Sequence, residues 1–542
     1  MTFVADAEQL LRQARTAYAD DPIAETFLDQ LETRLREPLR LAVAGIVKAG
    51  KSTLLNAFLG EQIAPTDTGE CTRVVTVYRY SATPAITIHP RDSAPQRMPI
   101  RRDGGRLVFV LGGMSAEQIE WIDVAWPLES LRSLILVDTP GIASLSVTTS
   151  ARAARYLTSE ESPSVADAVV YLMRHLHGTD VRFLEAFRDS APGAAQTVSA
   201  VGVLSRADEI GSGRIDSLLS ARKVAQRYER HGDLASLVLR VIPIAGLVAE
   251  GARTLRENEF IALRELARLD RVARERLLVS ADRFMRPTDV TTVSETMRAS
   301  LLDRFGMYGI RLATALVRGG ATSSSDLSTE LVEQSGLLDL EEFVREQFLA
   351  RSAALKARGI VVQLEWLLRN RPRPEARTIH GGIEAIVCRA HAFRELELLA
   401  RARADALPLS PADAAAAQLL LGAGGVTPQK RLGLAGEAEA HEVRARTLDA
   451  LSHWRRLAAS PMADREVRMI CQVVIRSLDG IASEVGAARA LRPPADVVLP
   501  SGPSQSTGQD AEEQGDQPHR RLHRKKRLNW FARLAERHPF RR

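Results

Sequence analysis

Short apolar runs alternate with amphipathic stretches through the first 250 residues of the chain. The runs are rich in Val, Ile and Leu and predict buried strands at 41–44, 74–80, 85–89, 107–111, 122–126, 133–137, 167–173, 197–204 and 237–244. Helical spacing is present at 53–59 and near 150–160, 180–189 and 214–230. Strands that alternate with helices predict an α/β domain, with a mostly parallel sheet and helices on both of its faces.

Helical patterns flank this region on both sides. Residues 6–36 read as two amphipathic helices, with Asp21 as N-cap and Pro22 at the first position of the second. Beyond about residue 250, a long helix capped by Ser335 is predicted, with other helices at 383–406, 434–458 and 463–489, and breaks at 371–374, 381–382, 422–425 and 460–461. The apolar stripes of 6–36 and 463–489 lack local partners, so we predict that they pack together as a neck.

Composition changes sharply at the C-terminal end of the chain. Residues 491–518 are rich in Pro, Ser, Gly and acids and predict a disordered linker. Residues 519–542 hold ten Lys or Arg and one Glu, whereas the net charge of the whole chain is +6. Because an apolar side around Trp530 and Phe531 follows the basic run, we predict an interfacial helix on anionic membrane, with nucleic-acid binding as the rival interpretation.

Bulk features restrict the class of protein. An apolar content of 45% is typical of a globular chain, and 542 residues suggest two to four domains. Three widely separated cysteines fit a reducing compartment. The N-terminus does not resemble a signal peptide, and no apolar stretch approaches the length of a transmembrane helix, so we predict neither.

The first strand leads into a phosphate-binding motif. Residues 45–52, GIVKAGKS, fit the pattern G-x-x-x-x-G-K-[ST] and open a helix. Its glycines let backbone N–H groups point at phosphate oxygens, while the lysine reaches the β and γ phosphates and the serine ligates Mg²⁺. The residues expected to contact a nucleotide here are Gly45, Val47, Lys48, Ala49, Gly50, Lys51, Ser52 and Thr53. A chance match is the weaker alternative, because the motif lies between a strand and a helix.

Two later motifs favour GTP over ATP. DTPG at 138–141 follows a strand, so Asp138 would hold Mg²⁺ through a water and the Gly141 N–H would meet the γ-phosphate. The sequence Ser205-Arg206-Ala207-Asp208 ends another strand. The Asp208 carboxylate would accept two guanine hydrogens that adenine lacks, although a plain surface aspartate is the alternative. Further candidates for base contacts are Ser205, Arg206 and the backbone N–H of Ala245.

A threonine between the phosphate-loop helix and the next strand is expected to close on Mg²⁺ and the γ-phosphate. Thr72 is the best candidate, with Thr66 and Thr68 as competitors. The predicted ligands of Mg²⁺ are therefore Ser52, Thr72 and Asp138.

Taken in order, these motifs resemble the dynamin superfamily and are most similar to the isoniazid-inducible group of bacterial dynamin-like proteins. The resemblance rests on VAGIVKAGKSTLLNAFLG, CTRVVT, DTPG, SRAD, VIPIAGL and SGLLDLEEFVREQFLARSAALKARG, and it covers roughly residues 1–490. It implies N-terminal neck helices at 1–38, a GTPase domain at 39–250 and a helical neck and trunk at 251–490. It also implies head-to-head dimerisation, a possible hetero-oligomer with a related dynamin-like protein, and a cytoplasmic protein on the inner face of the cell membrane.

The chain departs from eukaryotic dynamins at Val47 and Lys48, where they carry Gln and Ser. Lys48 stands where guanylate-binding proteins carry an arginine that acts in cis, so Lys48, Lys51 and Thr72 are the predicted catalytic residues. A solvent-facing lysine is the alternative interpretation of Lys48.

Two breaks in the helical region are candidate membrane tips. The first, 369–377, carries four arginines, and the second, 419–426, is apolar and glycine-rich. A helix end buried in the trunk is the alternative for the second. The leading function is a GTPase that remodels membranes. The alternatives are a GTPase that binds RNA or ribosomes through the tail, although nucleic acid is the less favoured partner, and a nucleotide-switched assembly protein with little turnover.

Overall fold

A computed structural model describes most of the chain. The described residues are 3–65, 73–103, 105–141, 166–189, 199–211, 213–230, 234, 237–389, 391–404 and 407–490. The linker 491–518, the tail 519–542 and the helix predicted near 150–160 lie outside this set. Within it, Met1–Ala488 belong to one compact unit.

In the described part of the chain, nine strands form one mixed sheet, in the order β11-β10-β9-β1-β8-β2-β7-β3-β4. A separate hairpin pairs β5 with β6. The strands are β1 (Leu39–Gly45), β2 (Val75–Tyr80), β3 (Ala85–Pro90), β4 (Gln96–Met98), β5 (Arg101–Asp103), β6 (Arg106–Val108), β7 (Ile119–Trp126), β8 (Leu134–Asp138), β9 (Ala168–Met173), β10 (Ala200–Ser205) and β11 (Val241–Ile244). From β11 to β8 all neighbours are parallel, so the predicted α/β architecture is confirmed.

Strands at the sheet margin were predicted less well. The run 107–111 contributes only to β6, and the polar strands β4 and β5 have no apolar signal. Only the last four residues of 237–244 form a strand, β11, which pairs with β10 at the edge of the sheet. A proline such as Pro243 is tolerated on an edge strand, because the hydrogen bond that it cannot donate would not join two inner strands.

Within the described ranges, helices accompany the sheet at Lys51–Leu59, Gly178–Asp189, Ser217–Arg230 and Gly246–Arg253. The further helices are Glu257–Arg268, Arg271–Leu277, Ala281–Met285, Glu295–Gly319, Ser324–Ser335, Leu337–Phe343, Ser352–Asn370, Ala376–Arg389, His391–Ala404, Pro411–Leu420, Pro428–Arg431, Ala440–Ala458 and Arg465–Ala490. One apolar core extends from the sheet into these later helices. None of the helices among the described residues combines the length and apolar character needed to cross a membrane.

The N-terminal helices Phe3–Ala17 and Pro22–Arg36 confirm the predicted pair, and the Asp21 carboxylate caps the second by accepting from Ile23 and Ala24 N–H at 3.1 Å. Their predicted packing on 463–489 is wrong. Both helices instead bury their stripes against Ser352–Asn370 and Ala376–Arg389. An apolar stripe shows that a helix needs a packing partner but does not identify that partner. Here the partner helix Ala376–Arg389 contributes Ile379, Ile383 and Ile386 to the shared core.

The break predicted at 381–382 is also wrong, because both glycines lie inside the helix Ala376–Arg389. A Cβ at Gly382 would lie 2.6 Å from Leu10 Cδ1. Glycine is therefore needed there for the close approach of two helices rather than for a turn.

Ser335 ends the helix Ser324–Ser335 instead of capping the next one. Its hydroxyl donates to Val332 O at 2.8 Å and accepts from Leu337 N–H at 3.2 Å. Gly336, at φ +84°, then redirects the chain, and a Cβ there would lie 2.2 Å from Pro243 O. The close approach to β11 requires a glycine and stops the helix.

The two candidate membrane tips are engaged within the protein. Leu420 and Leu421 are buried, which contradicts their predicted insertion into lipid. Arg351 donates to Leu421 O and Gly422 O at 3.3 and 3.1 Å, beside the end of Pro411–Leu420. A cation is favourable at a helix C-terminus, so this contact stabilises the buried end.

In the other candidate, Arg371 forms an ion pair with Asp21, and Arg373 donates to Asp20 at 2.9 Å. Two of the four arginines therefore hold the N-terminal pair to the loop. Membrane contact by this loop stays a prediction.

Candidate nucleotide-binding site

The phosphate loop connects β1 to the helix Lys51–Leu59 at the carboxyl edge of the sheet. Gly45 has φ +148°, and a Cβ there would lie 2.3 Å from Leu172 O of the neighbouring β9. Lys48 and Gly50 follow with φ +62° and +93°. Only a loop with these backbone turns brings successive N–H groups to one side, which is the arrangement that binds phosphate.

The Lys51 ammonium lies inside this loop. It donates to Gly45 O at 3.2 Å and to Ile46 O at 3.3 Å. Burial lowers the pKa of Lys51, and the nearby Asp138 carboxylate opposes that shift. Among the described residues, this half-buried cation has only carbonyl oxygens as hydrogen-bond acceptors, and it can exchange them for phosphate oxygens.

Ser52 and Asp138 come together because β8 is parallel to β1, with Val43 and Asp138 in register. The Ser52 hydroxyl donates to Asp138 Oδ2 at 3.4 Å. Burial raises the pKa of Asp138 to about 6, although Lys51 and Ser52 oppose it. Within the described residues, the buried Asp138 Oδ1 has no hydrogen-bond partner. A hydroxyl and an unsatisfied carboxylate oxygen are hard oxygen donors, so the pair fits Mg²⁺.

The DTPG segment lies directly against the phosphate loop. A Cβ at Gly141 would lie 2.5 Å from Val47 Cγ2 and 2.9 Å from Val47 Cα. The Thr139 hydroxyl donates to Val43 O at 3.0 Å, which fixes the segment to β1. Val47 of the phosphate loop and Gly141 are therefore in contact.

A cavity of about 150 Å³ opens beside the phosphate loop. It is lined by Ala49, Gly50, Thr53, Leu54, Leu172, Val203, Ser205, Arg206, Asp208, Glu209, Ile244, Gly246 and Leu247. Burial raises the pKa of Asp208, which indicates that its carboxylate is poorly hydrated. An aspartate at one side and apolar walls around it suit a planar base with hydrogen-bond donors.

Arg206 lines the cavity that contains Asp208, which we call the base cavity, and its side chain also contacts the phosphate loop. It has φ +52°, an uncommon conformation for a non-glycine residue, and Arg206 and Lys48 are the two such residues in the described part of the chain. The Arg206 guanidinium donates to Glu209 at 2.8 Å and to Lys48 O at 3.4 Å. Glu209, which also accepts from Arg174 at 2.8 Å, holds Arg206 in this position.

Two predicted base contacts have other partners. The Ala245 N–H donates to Ser335 O at 2.9 Å, so the prediction that it binds guanine O6 is wrong. The Ser205 hydroxyl donates to Met173 O at 3.2 Å, which ties β10 to β9. The neighbouring Gly246 and Leu247 line the cavity instead, and sequence reasoning missed them together with Glu209.

Three further predictions concern residues around the site. Lys48 lies on the phosphate loop with an exposed side chain. Thr53 lines the base cavity. Thr72 and its competitors Thr66 and Thr68 lie outside the described residues.

Comparisons with known proteins agree on one family. A family profile described as "Dynamin family" matches residues 41–191. "Isoniazid-induced protein IniC" from Mycobacterium tuberculosis is 40% identical over 462 residues, which covers 85% of this chain and 93% of that protein. A "Bacterial dynamin-like protein" from Nostoc punctiforme is 34% identical over 116 residues, or 19% of this chain and 16% of that protein.

Among solved structures, an oligomerised bacterial dynamin pair, described as a mechanism for long-range sensing and tethering of membranes, aligns over 90% of this chain and 74% of its own. The TM-score is 0.35 and the sequence identity 12%.

Proposed function

The chain belongs to the dynamin family of GTPases, and on this premise we propose that it binds GTP in preference to ATP and hydrolyses it. The observation that carries the proposal is a half-buried aspartate, Asp208, in a cavity that adjoins a phosphate loop. Guanine presents N1–H and N2–H side by side, and a carboxylate accepts both, whereas adenine offers no such pair. The nucleotide that copurifies with the protein, and its affinities for GTP and ATP, test this proposal.

We propose that Ser52 and Thr72 would ligate Mg²⁺ and that Asp138 would hold it through a water. When bound, the ion would neutralise phosphate charge. The chain's own residues bind and orient the substrate: Lys51 contacts the β and γ phosphates, and the Gly141 N–H contacts the γ-phosphate. These contacts strengthen as charge moves onto the transferring group, so they favour the transition state.

Lys48→Ala should reduce turnover more than affinity. A cation on the loop stabilises charge that develops only during transfer, so we expect kcat to fall roughly tenfold while KM changes little. Steady-state GTP hydrolysis measures both constants. Lys48→Arg should retain most of the activity, and the exposed Lys223→Ala is the matched control. Wild-type turnover in Lys48→Ala would show a solvent-facing lysine without a catalytic part.

Binding of Mg·GTP should weaken as the pH falls through about 6, because the pKa of Asp138 is raised to about 6 by burial. Below that pH the ligand-free protein holds a neutral Asp138, whose proton must leave before a cation binds, so affinity should fall up to roughly tenfold per pH unit. Titration of GTP with Mg²⁺ and with EDTA at each pH separates this effect from protonation of the nucleotide.

The same pKa gives the opposite trend for stability. Since the folded-state pKa lies above the reference value of 3.8, the folded protein binds more protons than the unfolded one between about pH 4 and 6. The contribution of Asp138 to the free energy of unfolding therefore falls as the pH rises through this window. Asp138→Asn should remove both trends, and an unchanged pH profile in that variant would rule out Asp138 as their source.

We further propose that the nucleotide cycle drives self-association through the GTPase heads and association with anionic membrane. The proposed division is neck helices at 1–38, head at 39–250, helical neck and trunk at 251–490, linker at 491–518 and membrane-binding tail at 519–542. A cytoplasmic position on the inner face of the cell membrane, and a hetero-oligomer with a related dynamin-like protein, belong to the same proposal. Family membership supports it, together with the basic, amphipathic tail.

Liposome sedimentation with RNA as competitor tests this part of the proposal. Retention of the protein on anionic liposomes in excess RNA is expected. Displacement by RNA would favour the RNA-binding alternative, and membrane binding without GTP turnover would favour a switched assembly protein.

A further inference from the structure

Two helices of the C-terminal helical region, His391–Ala404 and Arg465–Ala490, lie antiparallel to each other. At one end His391 Nε2 is 2.9 Å from Ser477 Oγ. At the other end Arg401 forms an ion pair with Glu466. Residue numbers therefore rise along one helix as they fall along the other.

A cavity of about 560 Å³ lies between these helices. Its lining residues are His391, Arg394, Leu398, Arg401, Met469, Ile470, Gln472, Val473 and Arg476. On each helix three of them follow the spacing i, i+4, i+7, which places them on one face: Arg394, Leu398 and Arg401, opposite Met469, Val473 and Arg476. We call this cavity the interhelical groove.

The groove is polarised in charge. The antiparallel arrangement places Arg394 and Arg476 at the same end, near His391 and Ser477. Neither arginine forms a hydrogen bond or ion pair with another residue in the part of the chain that the structure describes. At the opposite end Arg401 is neutralised by Glu466. No carboxylate appears among the described lining residues. The Glu395 carboxylate, which contacts His391 and Ser477 at this end, is paired with Arg431, so the positive charges of Arg394 and Arg476 stay uncompensated.

One half-buried and one buried arginine of the same region have hydrogen-bond partners within the protein. Arg431 donates to both oxygens of the buried Glu395 at 2.7 and 3.2 Å. Arg351 donates to Leu421 O and Gly422 O. Arg394 and Arg476 differ from these two arginines in that both are exposed and both line the interhelical groove.

Between the charged ends the groove has an apolar floor of Leu398, Met469, Ile470 and Val473. Arg394 and Arg401 are seven residues apart, so the floor extends roughly 10 Å along the helix axis. Met469 is 44% exposed, whereas Leu398 and Ile470 are buried, so Met469 is the part of the floor that is most open to solvent.

We propose that the interhelical groove binds one anionic phospholipid, with its phosphate on Arg394 and Arg476 and an acyl chain along the apolar floor. Guanidinium groups bind phosphate through charge-assisted hydrogen bonds, and the apolar floor excludes water from the chain. The volume falls in the range of small-ligand sites, whereas a protein partner requires about 800 Å² on each side. This lipid-binding proposal rests on the membrane association proposed above.

The test uses the full chain and a lipid that is monomeric in water. Dihexanoyl phosphatidylglycerol is the probe, with dihexanoyl phosphatidylcholine and glycerol 3-phosphate as comparisons, and binding is measured by equilibrium dialysis. We expect one phosphatidylglycerol per chain, bound roughly tenfold tighter than either comparison, because only this probe supplies both an anionic head and a chain.

Arg394→Glu/Arg476→Glu should weaken phosphatidylglycerol binding by roughly tenfold or more. The matched control is Arg444→Glu/Arg468→Glu, which makes the same change of charge at exposed positions outside the groove. A second variant, Met469→Gln, replaces an exposed floor residue and should weaken lipid binding without affecting glycerol 3-phosphate. Thermal unfolding confirms that each variant is folded.

Equal affinity for the two lipids would overturn the proposal, as would equal losses in the groove and control variants. GTP turnover is measured in parallel and should be unchanged in all variants. Loss of lipid binding with normal turnover leaves the GTPase proposal intact, and lipid binding by a protein without turnover leaves the groove intact, so the two proposals fail separately.

Discussion

Lys51→Ala is expected to abolish GTP turnover and to weaken GTP binding by roughly 100-fold. Lys51 is the half-buried cation of the phosphate loop, and two neutral carbonyl oxygens at 3.2 and 3.3 Å hold it there. Replacement of those acceptors by phosphate oxygens forms charge-assisted hydrogen bonds, each worth about 1.5–3 kcal/mol. The same ammonium contacts the phosphates before and during transfer, so both affinity and turnover depend on it.

Two further variants show whether the loss is local. Lys51→Met keeps the stem of the side chain, so it should be as inactive as Lys51→Ala while it packs the loop better. Lys223→Ala removes an exposed lysine from Ser217–Arg230 and should leave GTP binding unchanged. Calorimetry measures affinity, and thermal unfolding measures stability. GTP turnover at the wild-type rate in either Lys51 variant would exclude this lysine from the phosphate site.

The parts of the site that could be predicted depend on local sequence and on strand order. Residues 45–52 define their own backbone path, because the glycines and the following helix are contiguous. Asp138 and Asp208 each end a predicted strand, and parallel strands bring their carboxyl ends to one edge of the sheet. These residues were therefore expected to lie near one another, and the structure has them around the phosphate loop.

The parts that could not be predicted depend on contacts between distant segments. The Ala245 N–H is engaged by Ser335, a residue 90 positions later that has no signal at the site. Gly382 resembles a helix break but lies in a helix that another helix approaches closely. In the same way, the unpartnered stripe of 6–36 was matched to the wrong helix, because many amphipathic helices offer equivalent apolar faces.

The interhelical groove belongs to this second group. The spacing of Arg394 and Arg401 on one helix carries no information about Arg476 on another. Only the antiparallel packing brings Arg394 and Arg476 to the same end. Composition placed the basic character of the protein in the tail at 519–542, whereas the fold concentrates a second positive site within a region of mixed charge.

Asp208→Asn is expected to weaken GTP binding by about 3 kcal/mol, or roughly 100-fold, and to remove the preference for GTP over ATP. The carboxylate accepts two hydrogens from guanine, whereas an asparagine amide has one acceptor oxygen and one NH₂ donor. Its donor would face a donor of the base, so one hydrogen bond is lost and an unfavourable contact replaces it. The surrounding apolar walls prevent water from compensating for the loss.

The same variant should gain affinity for xanthosine triphosphate, which separates recognition of the base from general damage to the site. Xanthine carries a carbonyl where guanine carries its N2 amino group, so the side-chain amide introduced by Asp208→Asn donates to that oxygen and accepts from N1–H. Glu257→Gln provides a control, because it also removes one negative charge but lies at an exposed position outside the cavity. Equilibrium binding of GTP, ATP and xanthosine triphosphate to the wild type and both variants measures this change in nucleotide preference. A wild type that binds ATP and GTP equally, or an Asp208→Asn variant that loses all three nucleotides to the same extent, would mean that Asp208 supports the fold of the cavity instead of recognising guanine.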